Sequence, residues 1–277
     1  MEKKMPIIVL FSNLPEFAQG VSRVLAEKTG FKYVSDADLI KDAAKRYSVA
    51  EETLTRTVEC KPGVLQRFCS SKDKCMARLE SVLAERLLED NILRSGFIGY
   101  PMLQKVSHVL KVRLLCGIKD LIELSRLVDI PGDQLEKGIK RKEENYRAWV
   151  QYMYGLDITD SSLYDMTLNV GNLNLDEAID SILHTVGHER FQPMTFSLGC
   201  VRDQVVSSRV KAFLVDLDPK AEIKSKEGMV YVYSRGSRFN RKDHARKIKE
   251  ELIRLEGVKQ VEVYSQRELF KSVSCGH

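Results

Sequence analysis

Pro6-Ile7-Ile8-Val9-Leu10-Phe11-Ser12-Asn13-Leu14-Pro15-Glu16-Phe17-Ala18-Gln19-Gly20 is the stretch on which the fold turns. Its first six residues form an unbroken apolar run, the pattern of a strand buried on both faces. Ser12 to Pro15 breaks the run. Phe17, Val21, Val24 and Leu25 then recur at helical spacing until Gly30 supplies a stop. The unit reads strand, loop, helix.

Working outward, Phe31 to Val34 is a second strand, and Ser35-Asp36 opens a helix through Leu39, Ala43 and Ala44. A helix from about Lys74 to Asp90 carries the stripe Leu79, Val82, Leu83 and Leu87. Gly96 to Gly99 and Leu110 to Leu115 are the next strand candidates. Lys119 to Tyr154 is helical in pattern with Pro131-Gly132 as punctuation, and strand Met166 to Asn169 precedes helix Asp176 to Val186. This alternation predicts an α/β fold for residues 1–190, a parallel sheet with helices on both faces.

Gln192-Pro193 marks a boundary, and residues 194–277 follow a different order. Helix Val205 to Leu217 precedes strands Ala221 to Ser225 and Val230 to Tyr233, which flank the turn Lys226-Glu227-Gly228. Helix Arg241 to Leu255 and strand Val258 to Tyr264 complete a small α+β (αββαβ) domain. A chain of 277 residues exceeds the usual single domain of about 100–150 residues, so the two parts are expected to fold separately.

Charge divides at the same boundary. Residues 194–277 hold 17 Lys and Arg against 11 Asp and Glu, while residues 1–193 hold 27 against 28. The excess base belongs to the C-terminal part. No apolar run approaches the roughly 20 residues of a bilayer span, and Met1 to Pro6 with its short following strand lacks the form of a secretory signal, which points to the cytoplasm. Cys60, Cys69 and Cys75 cluster at spacings unlike a zinc knuckle, leaving a metal or redox role beside a reading as ordinary small residues. His184 and His188 lie one turn apart, either sharing a metal or marking a helix C-terminus.

The opening unit, closing on Leu25-Ala26-Glu27-Lys28-Thr29-Gly30, resembles the start of the cytidylate kinase-like family. So do Tyr33 to Ile40 with Asp36, the strand Phe97-Ile98-Gly99, Val112 to Cys116 before a charged helix, and Leu163-Tyr164-Asp165-Met166-Thr167-Leu168-Asn169 followed by Asp176-Glu177-Ala178. The resemblance spans nearly all of residues 6–186 and implies a P-loop kinase-like sheet, with ATP and magnesium as cofactors of an active enzyme. Members of the family carry a Gly-Ser-Gly-Gly turn whose backbone N–H groups hold phosphate. Here Pro15-Glu16-Phe17-Ala18, then Gln19 and Gly20, stand in its place: proline lacks a donor, Phe17 needs room and Glu16 adds negative charge. Ser12, Asn13, Glu16, Gln19 and Gly20 are nonetheless the candidate nucleotide-binding positions. The family's Gly-Arg-Gly appears as Gly99-Tyr100-Pro101. Its lid Asp-x-x-Arg is approximated by Glu144-Asn145-Tyr146-Arg147, which makes Arg147, with Arg141 as alternate, a candidate phosphate contact or part of a solvated face. Asp36 is a candidate contact to acceptor nucleotide or magnesium-bound water, or a helix N-cap.

The C-terminal domain resembles the small BON module of bacterial proteins, through Ser208-Arg209-Val210-Lys211-Ala212, the Glu227-Gly228 turn and Leu255-Glu256-Gly257-Val258-Lys259-Gln260-Val261. The resemblance implies a phospholipid or protein partner. Arg235, Arg238, Arg241, Lys242, Arg246, Lys247 and Lys249 crowd one short stretch, suited to an anionic partner, with Arg238, Arg241, Lys242 and Arg246 as the binding candidates. Three readings follow: a pseudo-kinase that keeps the fold as a nucleotide- or anion-responsive sensor or scaffold, an active divergent nucleotide kinase, and a binding protein acting through its basic domain on lipid, nucleic acid or protein.

Overall fold

A computed structural model describes residues 6–59, 72–89, 91–117, 135–234 and 242–265. In chain order the elements are β1 (Ile7–Ser12), α1 (Pro15–Thr29), β2 (Lys32–Val34), α2 (Asp36–Tyr47), α3 (Glu51–Glu59), α4 (Lys72–Arg86), β3 (Ile92–Ser95), α5 (Tyr100–Leu103), β4 (Val109–Leu115), α6 (Leu135–Tyr154), β5 (Met166–Asn169), α7 (Leu175–Val186), α8 (Thr195–Leu214), β6 (Glu222–Lys226), β7 (Met229–Ser234), α9 (Lys242–Ile253) and β8 (Gln260–Ser265). They form two compact units, Met1–Phe68 with Glu89–Met194, and Cys69–Leu88 with Thr195–His277. Helix α4, which lies inside the stretch 1–190 in sequence, groups in space with the C-terminal elements.

The first unit holds a five-stranded sheet in the order β2-β3-β1-β4-β5, every pair parallel. Every residue of β1 is buried, as its unbroken apolar run requires. Ile8 and Leu10 join α1 and α7 in one core through Phe17, Val21, Leu25, Ala178, Ile179 and Ile182. Phe11 joins an aromatic layer: its ring centroid is 4.6 Å from Phe97, 5.6 Å from Tyr100 and 5.5 Å from Tyr164. Residues 96–99 are a turn and not a strand. Strand β3 precedes them at Ile92–Ser95, and Gly96 at φ +97° takes a conformation closed to most side chains, which ends the extended chain. Helix α2 is capped by Ser35 and Asp38, which exchange backbone and side-chain bonds, so Asp36 is its first residue and not its cap.

The second unit is a three-stranded sheet, β6 antiparallel to β7 and β7 parallel to β8, with the turn Glu227-Gly228 joining β6 to β7. A Cβ on Gly228 would meet the Gly257 carbonyl oxygen at 2.8 Å, so only glycine fits there. Val206, Val210 and Leu214 of α8 and Ile248 and Leu252 of α9 pack on Val230, Val232 and Val261. Helix α8 begins ten residues before the helix expected from sequence, and it packs on α4. Asp216 accepts from Lys74 at 2.8 Å and Arg78 at 2.7 Å on α4. The Lys74 hydrogen bond, then the nearby Arg78 charge, hold the Asp216 carboxyl below its ordinary value. A depressed folded pKa gives stability that is present above the unfolded carboxylate pKa and is lost as pH falls through the folded value. Asp216→Asn is therefore expected to narrow the difference in urea midpoint between pH 7 and pH 3, with little further loss at pH 3.

Among the described residues, no helix is long and apolar enough to cross a membrane. Cys75 is buried within α4, whereas Cys60 and Cys69 lie outside the described residues. The rings of His184 and His188 meet edge to face at 5.2 Å, and no group of three His, Cys, Asp or Glu capable of holding a metal occurs among the described residues.

Candidate functional site

A cavity of about 230 Å³ opens at the carboxyl ends of β1, β4 and β5. Its place follows from topology: β1 continues toward β2 on one side of the sheet and β4 toward β5 on the other, so the connections diverge and leave a crevice. Ser12, Asn13, Leu14, Leu114, Leu115, Cys116, Gly117, Ile139, Glu143 and Asn169 line it.

The loop beside this cavity is short. Leu14 is the N-cap and α1 starts at Pro15, with no side-chain cap. The Leu14 N–H donates to Ser12 Oγ at 3.2 Å, Pro15 has no N–H, and the Phe17 N–H donates to the Leu14 carbonyl at 3.1 Å. Gln19 and Gly20 stand in the second turn of α1, where backbone N–H groups serve the helix itself. Of the five candidate binding positions, Ser12 and Asn13 reach the cavity wall and the other three belong to the helix.

Helix α6 closes on this loop through two adjacent residues. Lys142 Nζ pairs with Glu16 Oε1 at 2.5 Å, and Asn13 Nδ2 donates to Glu143 Oε1 at 2.7 Å. Arg113, mostly buried on β4, reaches the Asn13 amide oxygen at 3.5 Å, donates to the Thr159 carbonyl at 3.1 Å and lies 5.6 Å from the Tyr164 ring centre. The lid arginines face elsewhere. Arg147 pairs with Asp157 at 3.1 Å, Arg141 is exposed, and neither lines the cavity.

A second polar cluster lies in the aromatic layer. Arg94 on β3 is fully buried and donates through Nη2 to Asp36 Oδ1 at 2.9 Å and to the Ile98 carbonyl at 3.2 Å. Its Nε and Nη1 have no hydrogen-bond partner. Burial, then the nearby Asp36 charge, push the Tyr146 phenol far above its ordinary pKa, so it stays neutral. Tyr100 is buried and donates to the Leu163 carbonyl at 2.6 Å, while the Gly99 N–H donates to Tyr154 Oη at 3.0 Å. Sequence reading missed Arg94, Arg113, Tyr146 and Glu143. The two arginines had a signal: each interrupts an apolar strand run, Ile92-Leu93-Arg94 and Val112-Arg113-Leu114, where a charge is costly without partners.

In the second unit, Arg246 is exposed and stands 3.7 Å from Glu250. Arg238, Arg241 and the Lys242 side chain lie outside the described residues.

A parallel sheet in this order, with a cavity beside the loop that joins its central strand to the next helix, defines a nucleotide kinase-like α/β domain. The model of the cytidylate kinase-like family matches residues 18–172, and the chain belongs to that family. It is 25% identical over 176 residues to a cytidylate kinase of Sulfurisphaera tokodaii, covering 62% of this chain and 90% of that protein. Identity to a cytidylate kinase of Archaeoglobus fulgidus is 23% over 171 residues, covering 60% and 86%. The crystal structure of an uncharacterized protein from Eubacterium ventriosum superposes with a TM-score of 0.51 at 14% identity, covering 66% of this chain and 98% of that one, a likeness of fold.

Proposed function

We propose that this protein is a nucleotide- or anion-responsive sensor or scaffold of the family, with phosphoryl transfer weakened or lost. The observation that carries the reading is the occupancy of the loop. Two of its N–H groups, those of Leu14 and Phe17, are spent on Ser12 and Leu14, Pro15 offers none, and the carboxylate of Glu143 lines the cavity beside the loop. These residues do not fit an ATP triphosphate, and no transfer step is assigned to them. Asp36 pairs through Oδ1 with the buried Arg94, which gives it a role inside the protein.

On this reading residues 194–277, which resemble a BON-like module in sequence and carry the excess of Lys and Arg, supply the scaffold's basic part. Calorimetric titration with ATP and magnesium, with and without CMP, tests the first part. Heat consistent with millimolar or weaker affinity and no ADP release is expected. Micromolar affinity with CMP-dependent ADP release would overturn the reading in favour of an active divergent kinase, which family membership itself supports.

A further inference from the structure

Helix α6 is held at its two ends by different forces. Toward its C-terminus Trp149 and Val150 are buried, the Trp149 indole N–H donates to the Thr57 carbonyl at 2.8 Å, and Tyr154 Oη accepts from the Gly99 N–H at 3.0 Å. At the cavity end Ile139 and Glu143, one turn apart, line the wall. Ile139 is buried there, whereas Gly138, Lys140, Arg141, Lys142 and Glu144 are exposed. The ties from this end to the loop are polar. Asn13 Nδ2 donates to Glu143 Oε1 at 2.7 Å and Lys142 pairs with Glu16 at 2.5 Å, so adjacent residues of α6 grip the chain on either side of Pro15. The Lys142 and Glu16 side chains are 58% and 38% exposed, which lets water and salt weaken their pair. A Cβ on Gly138 would meet open space, so glycine lowers helix stability at this end without serving any packing.

We propose that residues 138–143 of α6 form a latch on the cavity. With Glu143 on Asn13 and Lys142 on Glu16 the segment walls off one side of the cavity. When these bonds break, the first turns of α6 unwind and that side opens, while the buried C-terminal half of the helix stays in place. Local opening starts at the most weakly held part of a structure, and this segment carries one buried apolar side chain, two polar ties and a glycine that packing does not require. Each tie also turns a carboxylate toward a donor, the Asn13 amide or the Lys142 ammonium, so the closed latch competes with any ligand that would use those donors. The inference rests on the cavity being the protein's ligand site, as proposed above, and names what controls entry to it.

The test uses the full chain and two readouts. One is hydrogen–deuterium exchange of residues 138–146 by mass spectrometry. The other is the rate at which Cys116, which lines the cavity, reacts with a maleimide too bulky for a space of about 230 Å³, read on the Cys116 peptide. Both rates follow the population of the open latch. Glu16 and Lys142 do not line the cavity, so changing them leaves its walls intact. Glu16→Lys and Lys142→Glu each set like charges together and are expected to speed both readouts about fivefold, while the double swap brings them back toward wild type. Gly138→Ala is expected to slow both about two- to fivefold by stiffening the helix. The proposal is overturned if the single reversals change neither readout, if the swap does not recover them in a folded protein, or if exchange and alkylation move independently. Neither readout needs a ligand, so a working latch beside a failed nucleotide titration would sink the reading of the cavity and not the latch.

Discussion

Asp36→Ala is expected to lower the melting temperature of the kinase-like unit by about 10 °C, while Arg94→Met changes it little. Arg94 is wholly buried, and its guanidinium has two partners, the Asp36 carboxylate and the Ile98 carbonyl. Removing the carboxylate leaves an uncompensated charge on β3 with Nε and Nη1 already unpartnered. Breaking a buried pair from one side costs about 3–5 kcal/mol; because Asp36 is a quarter exposed, about 3 kcal/mol is the better figure, or roughly 6–12 °C for a unit of this size. Replacing the arginine by an apolar side chain of similar length removes the charge and its desolvation together, which is commonly neutral or stabilising. The double variant should resemble Arg94→Met. Chemical denaturation of all four proteins measures the coupling, and equal losses in both single variants would show that the Asp36–Arg94 pair does not govern stability at this place in the sheet.

The second large effect concerns where the basic domain ends. A fragment of residues 194–277 lacks α4, the helix that packs on α8 and supplies Lys74, Arg78 and Glu85 to Asp216 and Arg209. Cys75, Met76, Leu79, Val82 and Leu83 of α4 are buried. Burying one large apolar side chain contributes about 1.5–3 kcal/mol, and a small domain has only about 5–15 kcal/mol in all, so loss of this helix removes much of the margin. The fragment is expected to melt without a sharp transition by circular dichroism. Joining residues 69–88 to 194–277 through a flexible linker should restore cooperative melting. A sharply melting 194–277 fragment of equal stability would show that α4 is dispensable to the unit.

Much of the fold was legible because its signals are local. The apolar run of β1, the breaker Ser12 to Pro15 and the helical spacing after it reappear as β1, a short loop and α1. The turn Glu227-Gly228 is equally local, since Gly228 takes its positive φ at no steric cost, whereas Glu227 at φ 53° adopts one that its residue type does not favour. Strand β3 was placed late for a physical reason: Arg94 breaks its apolar pattern, and only the approach of Asp36 makes a buried guanidinium tolerable there. The short loop at Pro15 was likewise read as a site extending to Gly20, although the helix had already begun.

What the sequence determined by itself was the alternation of elements, the family and the charge division, all carried by residue types and near spacing. Tertiary structure alone decided which distant groups meet. Glu143 comes to Asn13 and Lys142 to Glu16 across more than a hundred residues, Arg94 finds Asp36, and α4 joins α8. Such pairings depend on how sheets and helices stack and not on any local preference, because a charge or an apolar stripe states that it needs a partner without stating which one.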